Sequence, residues 1–180
     1  MATKLYDLAV ATRRYTDRDG KEKSVWENIG AILQADGEPY MMLKAHFLPA
    51  AISRKEGSES ILVSLFLPKD SMPDAGFNYD TIAGHRLYDL AVAVRRWQNQ
   101  QGEQKTSWFN AGAIIQGKDS KPYMMLKAHF NPAGVARKEG SESILVSLFK
   151  PRAKEEQPYD NYSSAGDFEA QSFDEDSIPF

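Results

Sequence analysis

An all-β fold made of two tandem copies of a small antiparallel domain is predicted by three observations. The chain repeats itself, apolar residues alternate with polar ones, and no stretch keeps a 3.6-residue apolar period over a normal helix length. The repetition is close. Leu5-Tyr6-Asp7-Leu8-Ala9-Val10-Ala11 returns as Leu87 to Ala93, Pro39 to Phe47 returns unchanged as Pro122 to Phe130, and Arg54 to Phe66 returns unchanged as Arg137 to Phe149. A single inserted residue near Ser120, in a turn, aligns the copies. Two copies are too few for a solenoid, so each is expected to hold its own core, with packing as an intrachain pseudo-dimer as the alternative. The chain divides into copy one (1–69), a linker (70–85), copy two (86–152) and an acidic tail (153–180).

Each copy reads as four strands. The first runs from about Lys4 to Tyr15, with Tyr6, Leu8 and Val10 on one face and Asp7, Ala9, Ala11 and Arg13 on the other. The second runs from about Lys23 to Gln34 and carries Gly30 in its middle, the mark of a bulge or sharp bend in a small barrel or strongly curved sheet. The third spans Tyr40 to Phe47. Its Met41, Leu43, Ala45 and Phe47 make an apolar face, and Tyr40, Lys44 and His46 make the outward one. The fourth runs from Ser60 to Leu67. Asp19-Gly20 and Asp36-Gly37 mark turns in copy one, matched by Gln101-Gly102 and Gly117-Lys118-Asp119 in copy two. Leu48 to Ser58 has room for one helical turn or an open loop. In the linker, Phe77, Tyr79 and Ile82 are the side chains that would pin it down. The tail scatters Tyr159, Tyr162, Phe168 and Phe173 among acidic and small residues and is expected to be disordered.

Composition narrows the function. The 180 residues are 42% hydrophobic, and no apolar run approaches the roughly 20 residues of a membrane span. Cysteine is absent, which excludes disulfides and thiolate metal sites and fits a reducing compartment. The Met1-Ala2-Thr3-Lys4 start shows no apolar signal region, so a cytoplasmic protein with no membrane partner is expected. The net charge of −3 hides an asymmetry: from Ala153 onward one lysine faces eight acids, which leaves the remaining chain at +4. A mildly basic body with an acidic tail suits a nucleic-acid binder with a protein-docking end.

Sequence-tolerant binding of single strands needs rings to stack on bases and cations to follow phosphates. Both copies supply them. Arg13, Arg14 and Tyr15 match Arg95, Arg96 and Trp97; Lys23 and Trp26 match Lys105 and Trp108; Tyr40, Lys44 and His46 match Tyr123, Lys127 and His129. The bland readings stand beside this one: Trp26 and Trp108 as core tryptophans, Tyr40 and Tyr123 as edge cover, the arginines as solvated charges. Duplication copies core and site alike. The exchange of Tyr15 for Trp97, which keeps a stacking surface while the neighbouring turn changes, leans toward binding. No enzyme, metal site or cofactor is expected. The three histidines lack metal-ligand spacing, the serines lack a motif-placed base, and the glycines sit singly in turns.

The chain ends in Phe173-Asp174-Glu175-Asp176-Ser177-Ile178-Pro179-Phe180. This end resembles the tail of bacterial single-stranded DNA-binding proteins, whose tips read roughly Asp-Phe-Asp-Asp-Asp-Ile-Pro-Phe. The resemblance implies a docking peptide for repair and replication enzymes. Phe180 would enter an apolar pocket with its carboxylate on a basic residue, Ile178 and Pro179 would shape the tip, and Asp174, Glu175 and Asp176 would steer it. Glu175 and the inserted Ser177 depart from that pattern. Each copy also resembles phage- and plasmid-borne single-stranded DNA-binding proteins, through Leu5 to Val10, Trp26-Glu27-Asn28-Ile29-Gly30 and Asn131-Pro132-Ala133-Gly134. Copy two departs at Phe109 and Ala111, and copy one at Leu48 and Ala51. The resemblance implies an OB-like barrel, with a curved four-stranded sheet as the other architecture.

The expected function is sequence-tolerant coating of single-stranded DNA in replication, recombination or repair, with enzymes recruited through the tip. The alternative is a decoy or adaptor that mimics the tail without binding DNA. Self-association is left open.

Overall fold

The computed structural model describes residues 2–69, 76–77, 83–118 and 121–151. The expected tail, with its tip residues Asp174, Glu175, Asp176, Ile178, Pro179 and Phe180, lies outside the described residues, as do Tyr79 and Ile82 of the linker. Among the described residues no helix is long and apolar enough to cross a membrane.

Copy one forms β1 (Thr3–Thr16), β2 (Glu22–Ala35), β3 (Glu38–Lys44) and β4 (Ser60–Phe66); copy two forms β5 (Arg86–Gln98), β6 (Gln104–Gln116), β7 (Pro122–Lys127) and β8 (Ser143–Phe149). The loop between third and fourth strands holds a single 3-10 turn, Pro49–Ala51 or Pro132–Gly134. Three consecutive antiparallel strands pair in order, and the fourth returns beside the first, giving β4-β1-β2-β3 in one copy and β8-β5-β6-β7 in the other. This is a Greek key.

Each copy is thus a curved four-stranded sheet rather than a self-closed OB-like barrel, and by itself it would leave two raw edges. The partner copy covers both. Strand β3 pairs with β8 and β4 with β7, so all eight antiparallel strands close into one ring. The result is an intrachain pseudo-dimer. The two expected cores are a single cluster, in which Leu8, Ile32, Met41 and Leu43 join Leu90, Ile114, Met124 and Leu126, all fully buried. Each such side chain contributes about 1.5–3 kcal/mol through removal from water.

Two glycines shape the curvature. Leu8 faces Gly30 and Ala9 faces Asn28, so Ile29 is an extra residue in β2; Ala111 is the matching extra residue in β6. A side chain at Gly30 would run into the Met42 carbonyl oxygen, and one at Gly112 into that of Met125. The bulges bend the long strands, and the glycines let the neighbouring strand approach.

Phe77 pins the linker, as expected. Its ring lies 5.0 Å from that of Tyr6 in copy one and 5.0 Å from that of Tyr88 in copy two. Its backbone N–H donates to the Tyr6 hydroxyl at 3.0 Å.

Candidate nucleic-acid interface

The long hairpins outrun the ring. Strand β1 pairs with β4 only over Asp7–Ala9, and β2 pairs with β3 only from Gly30 onward, while β1 and β2 stay paired out to Thr16 and Glu22. Copy two repeats this: β5 meets β8 only over Asp89–Ala91, and β5 and β6 stay paired out to Gln98 and Gln104. Each hairpin therefore leaves the ring as a two-stranded ribbon whose outer edges pair with no further strand. Ten of the sequence-predicted side chains sit on these ribbons.

Register sorts them onto two faces. Tyr15 stands opposite Lys23 and Arg13 opposite Val25, so these share one face of ribbon one; Arg14, opposite Ser24, shares the other with Trp26. On ribbon two, Trp97 faces Lys105 and Arg95 shares that side, with Arg96 and Trp108 on the reverse. The rings are open to solvent: Tyr15 is 44% exposed, Trp26 49%, Trp97 40% and Trp108 45%. The core reading of Trp26 and Trp108 does not hold.

The cations divide. Arg13, Arg14 and Arg96 are exposed and have no carboxylate partner among the described residues. The Arg95 guanidinium lies 5.7 Å from the Trp97 ring centre. The two lysines are engaged, Lys23 with Asp17 at 2.8 Å and Lys105 with Glu103 at 2.9 Å. These pairs brace the ribbon turns. Asp17 also accepts from the backbone N–H groups of Asp19 and Lys21, both at 2.9 Å, and Asn99 does the same for Gln101 and Glu103. The Lys23 ammonium and the Lys21 N–H hold the Asp17 carboxyl below the usual carboxylate range, and Lys105 with Asn99 does so for Glu103. The lysine ends of both pairs are open to solvent and pairs at such sites are weak, so either lysine can exchange its carboxylate for a phosphate.

The third strands follow the expected parity. Met41, Leu43, Ala45 and Phe47 are buried, Tyr40 and Lys44 half-buried, and His46 exposed; Met124 to Phe130 repeat the pattern with Tyr123, Lys127 and His129 outward. Lys44 donates to the Asn28 carbonyl at 2.5 Å. Lys127 instead lies 5.6 Å from the centre of the Phe109 ring, which also meets His129 edge-on at 5.9 Å.

Ring closure joins these strips across copies. Ser60, Leu62 and Ser64 of β4 stand opposite Lys127, Met125 and Tyr123 of β7. Phe66, further along β4, meets Trp26 edge-on at 5.3 Å. One outer face therefore unites Trp26 and Phe66 of copy one with Tyr123 and Lys127 of copy two. The opposite face unites Trp108 and Phe149, 5.1 Å apart, with Tyr40 and Lys44. Sequence reasoning missed Phe66, Phe149, Leu62 and Leu145, which are 44–53% exposed. Their signal was legible: with Ile61 and Val63 inward, period-two alternation leaves Leu62 and Phe66 outward.

Comparison of the chain with protein-family models, curated proteins and solved structures gives no match.

Proposed function

We propose that this protein binds single-stranded DNA with little regard to sequence, coating it without catalysis during replication, recombination or repair. The observation that carries the reading is the exposure of its rings. All three tryptophans and Tyr15 stand 40–49% open to solvent, on ribbons that also carry arginines without a carboxylate partner among the described residues. Leaving such rings in water forgoes about 25 cal/mol per Å² of apolar area, a cost that a ligand covering them recovers. Bases stack on such rings for about 1–3 kcal/mol each, whatever their identity. Two ribbons and two outer faces on one chain make the second contact intramolecular, which raises avidity.

Recruitment of replication and repair enzymes through Ile178-Pro179-Phe180 completes the proposal. It is supported by the likeness of that end to the tails of bacterial single-stranded DNA-binding proteins, and by the contrast of the acidic tail with the +4 body.

Titration of oligo-dT against the full chain and against a chain lacking 153–180 tests the reading. Tryptophan fluorescence should be quenched, affinity should fall steeply with salt, and tail removal should leave binding intact or tighter, because the tail competes with phosphate for basic surface. Absence of both quenching and a gel shift at low salt would discard DNA binding in favour of a decoy. A decoy would lose all its activity on deletion of Phe180 alone.

A further inference from the structure

The two ribbons differ at one register position near the ring. Phe109 lies opposite Val92 at the foot of ribbon two, and Glu27 lies opposite Val10 at the same place on ribbon one. Phe109 is half-buried and stacks on Phe130 at 5.7 Å, with His129 and Lys127 against its ring at 5.9 and 5.6 Å. By strand alternation it shares a ribbon face with Arg95 and Trp97. Rings and cations therefore follow one another from the tip of ribbon two to the wall of the ring. The same face of ribbon one begins alike, with Arg13 and Tyr15, and then presents the exposed carboxylate of Glu27. A carboxylate there repels phosphate and gives a base nothing to stack on.

We propose that the two halves take single-stranded DNA unequally: the ribbon face of copy two bearing Arg95, Trp97 and Phe109, with the Lys127 ammonium reaching the Phe109 ring at its foot, is the primary site, and Glu27 holds copy one to a weaker, secondary one. This rests on the single-strand reading of the protein and adds an order of engagement to it. A strand is anchored at copy two and reaches copy one only as an intramolecular second contact.

The test uses the full chain and two exposed, charge-matched substitutions on ribbon one. Glu27→Gln alters the proposed path, whereas Glu22→Gln, opposite Thr16, removes the same charge from the other face. With oligo-dT at low salt, Glu27→Gln should tighten binding about fivefold and Glu22→Gln by less than about twofold. With the strand substoichiometric, Trp97→Phe should lose the initial fluorescence quenching and Trp26→Phe should keep it. Equal tightening by both glutamine variants, or no change from Glu27→Gln in a protein that binds, overturns the inequality and leaves single-strand binding standing. A wild-type chain that binds no strand removes both.

Discussion

Tyr123 of the second copy lies directly across from Ser64 of the first, as Tyr40 lies across from Ser147. Each outer face is therefore assembled from both halves. On a bound strand, Trp26→Ala and Tyr123→Ala should each weaken oligo-dT binding by about 1–3 kcal/mol. Their double mutant should depart from additivity by more than about 0.5 kcal/mol, while Trp26→Ala with Tyr40→Ala, on opposite faces, should add. Fluorescence anisotropy on the four-member cycles decides this.

The ring also predicts shared melting. Gly30→Ala drives a methyl group into the Met42 carbonyl oxygen and forces β2 and β3 apart. A loss of about 1–3 kcal/mol is expected, typical of overpacking. Because one core serves both halves, calorimetry should show a single transition moving to lower temperature. A second transition left at its original temperature would show that the halves unfold separately.

The arginines should set the salt dependence. Replacing Arg95 and Arg96 by alanine should make the slope of log affinity against log salt shallower by about 0.7 for each phosphate no longer neutralised. Arg13 and Arg14 should behave likewise, and Arg54, in the loop before β4, should leave the slope unchanged.

Acid should loosen the two ribbon turns differently. Asp17 and Glu103 have carboxyls lowered in the folded chain, so the contribution of each is present above its ordinary pKa and lost as pH falls through the lowered one. Asp17 is half-buried and Glu103 exposed, and both sit in ribbon turns, so the effect is local. Protonation of Asp17 weakens its hold on the Asp19 and Lys21 amides as well as on Lys23, whereas Asn99 keeps the Gln101 and Glu103 amides at any pH. Protection of the Lys21 amide, relative to its intrinsic exchange rate, should fall as pH drops below the ordinary carboxylate range, and protection of the Glu103 amide should stay nearly level.

Much of this was legible from residue order. Strand alternation placed Met41, Leu43, Ala45 and Phe47 inward, and Gly30 marked the bulge. The pairing partners were not legible, because Tyr40 to Lys44 is identical to Tyr123 to Lys127, and Ser60 to Ser64 to Ser143 to Ser147. Identical edges give the same local pattern whether a sheet closes within a copy or across copies. The ribbons left one clue: β1 and β2 are 14 residues long and β3 and β4 are 7, so about half of each long strand has no partner on its second edge. The engagement of Lys23 by Asp17 depends on how the turn folds back, which spacing alone does not set.

The covalent join through Phe77 has a consequence for dilution. Two free modules sealing each other's edges would fall apart as their concentration dropped, whereas halves threaded on one backbone meet at a fixed effective concentration. Protein so built remains whole however scarce it becomes.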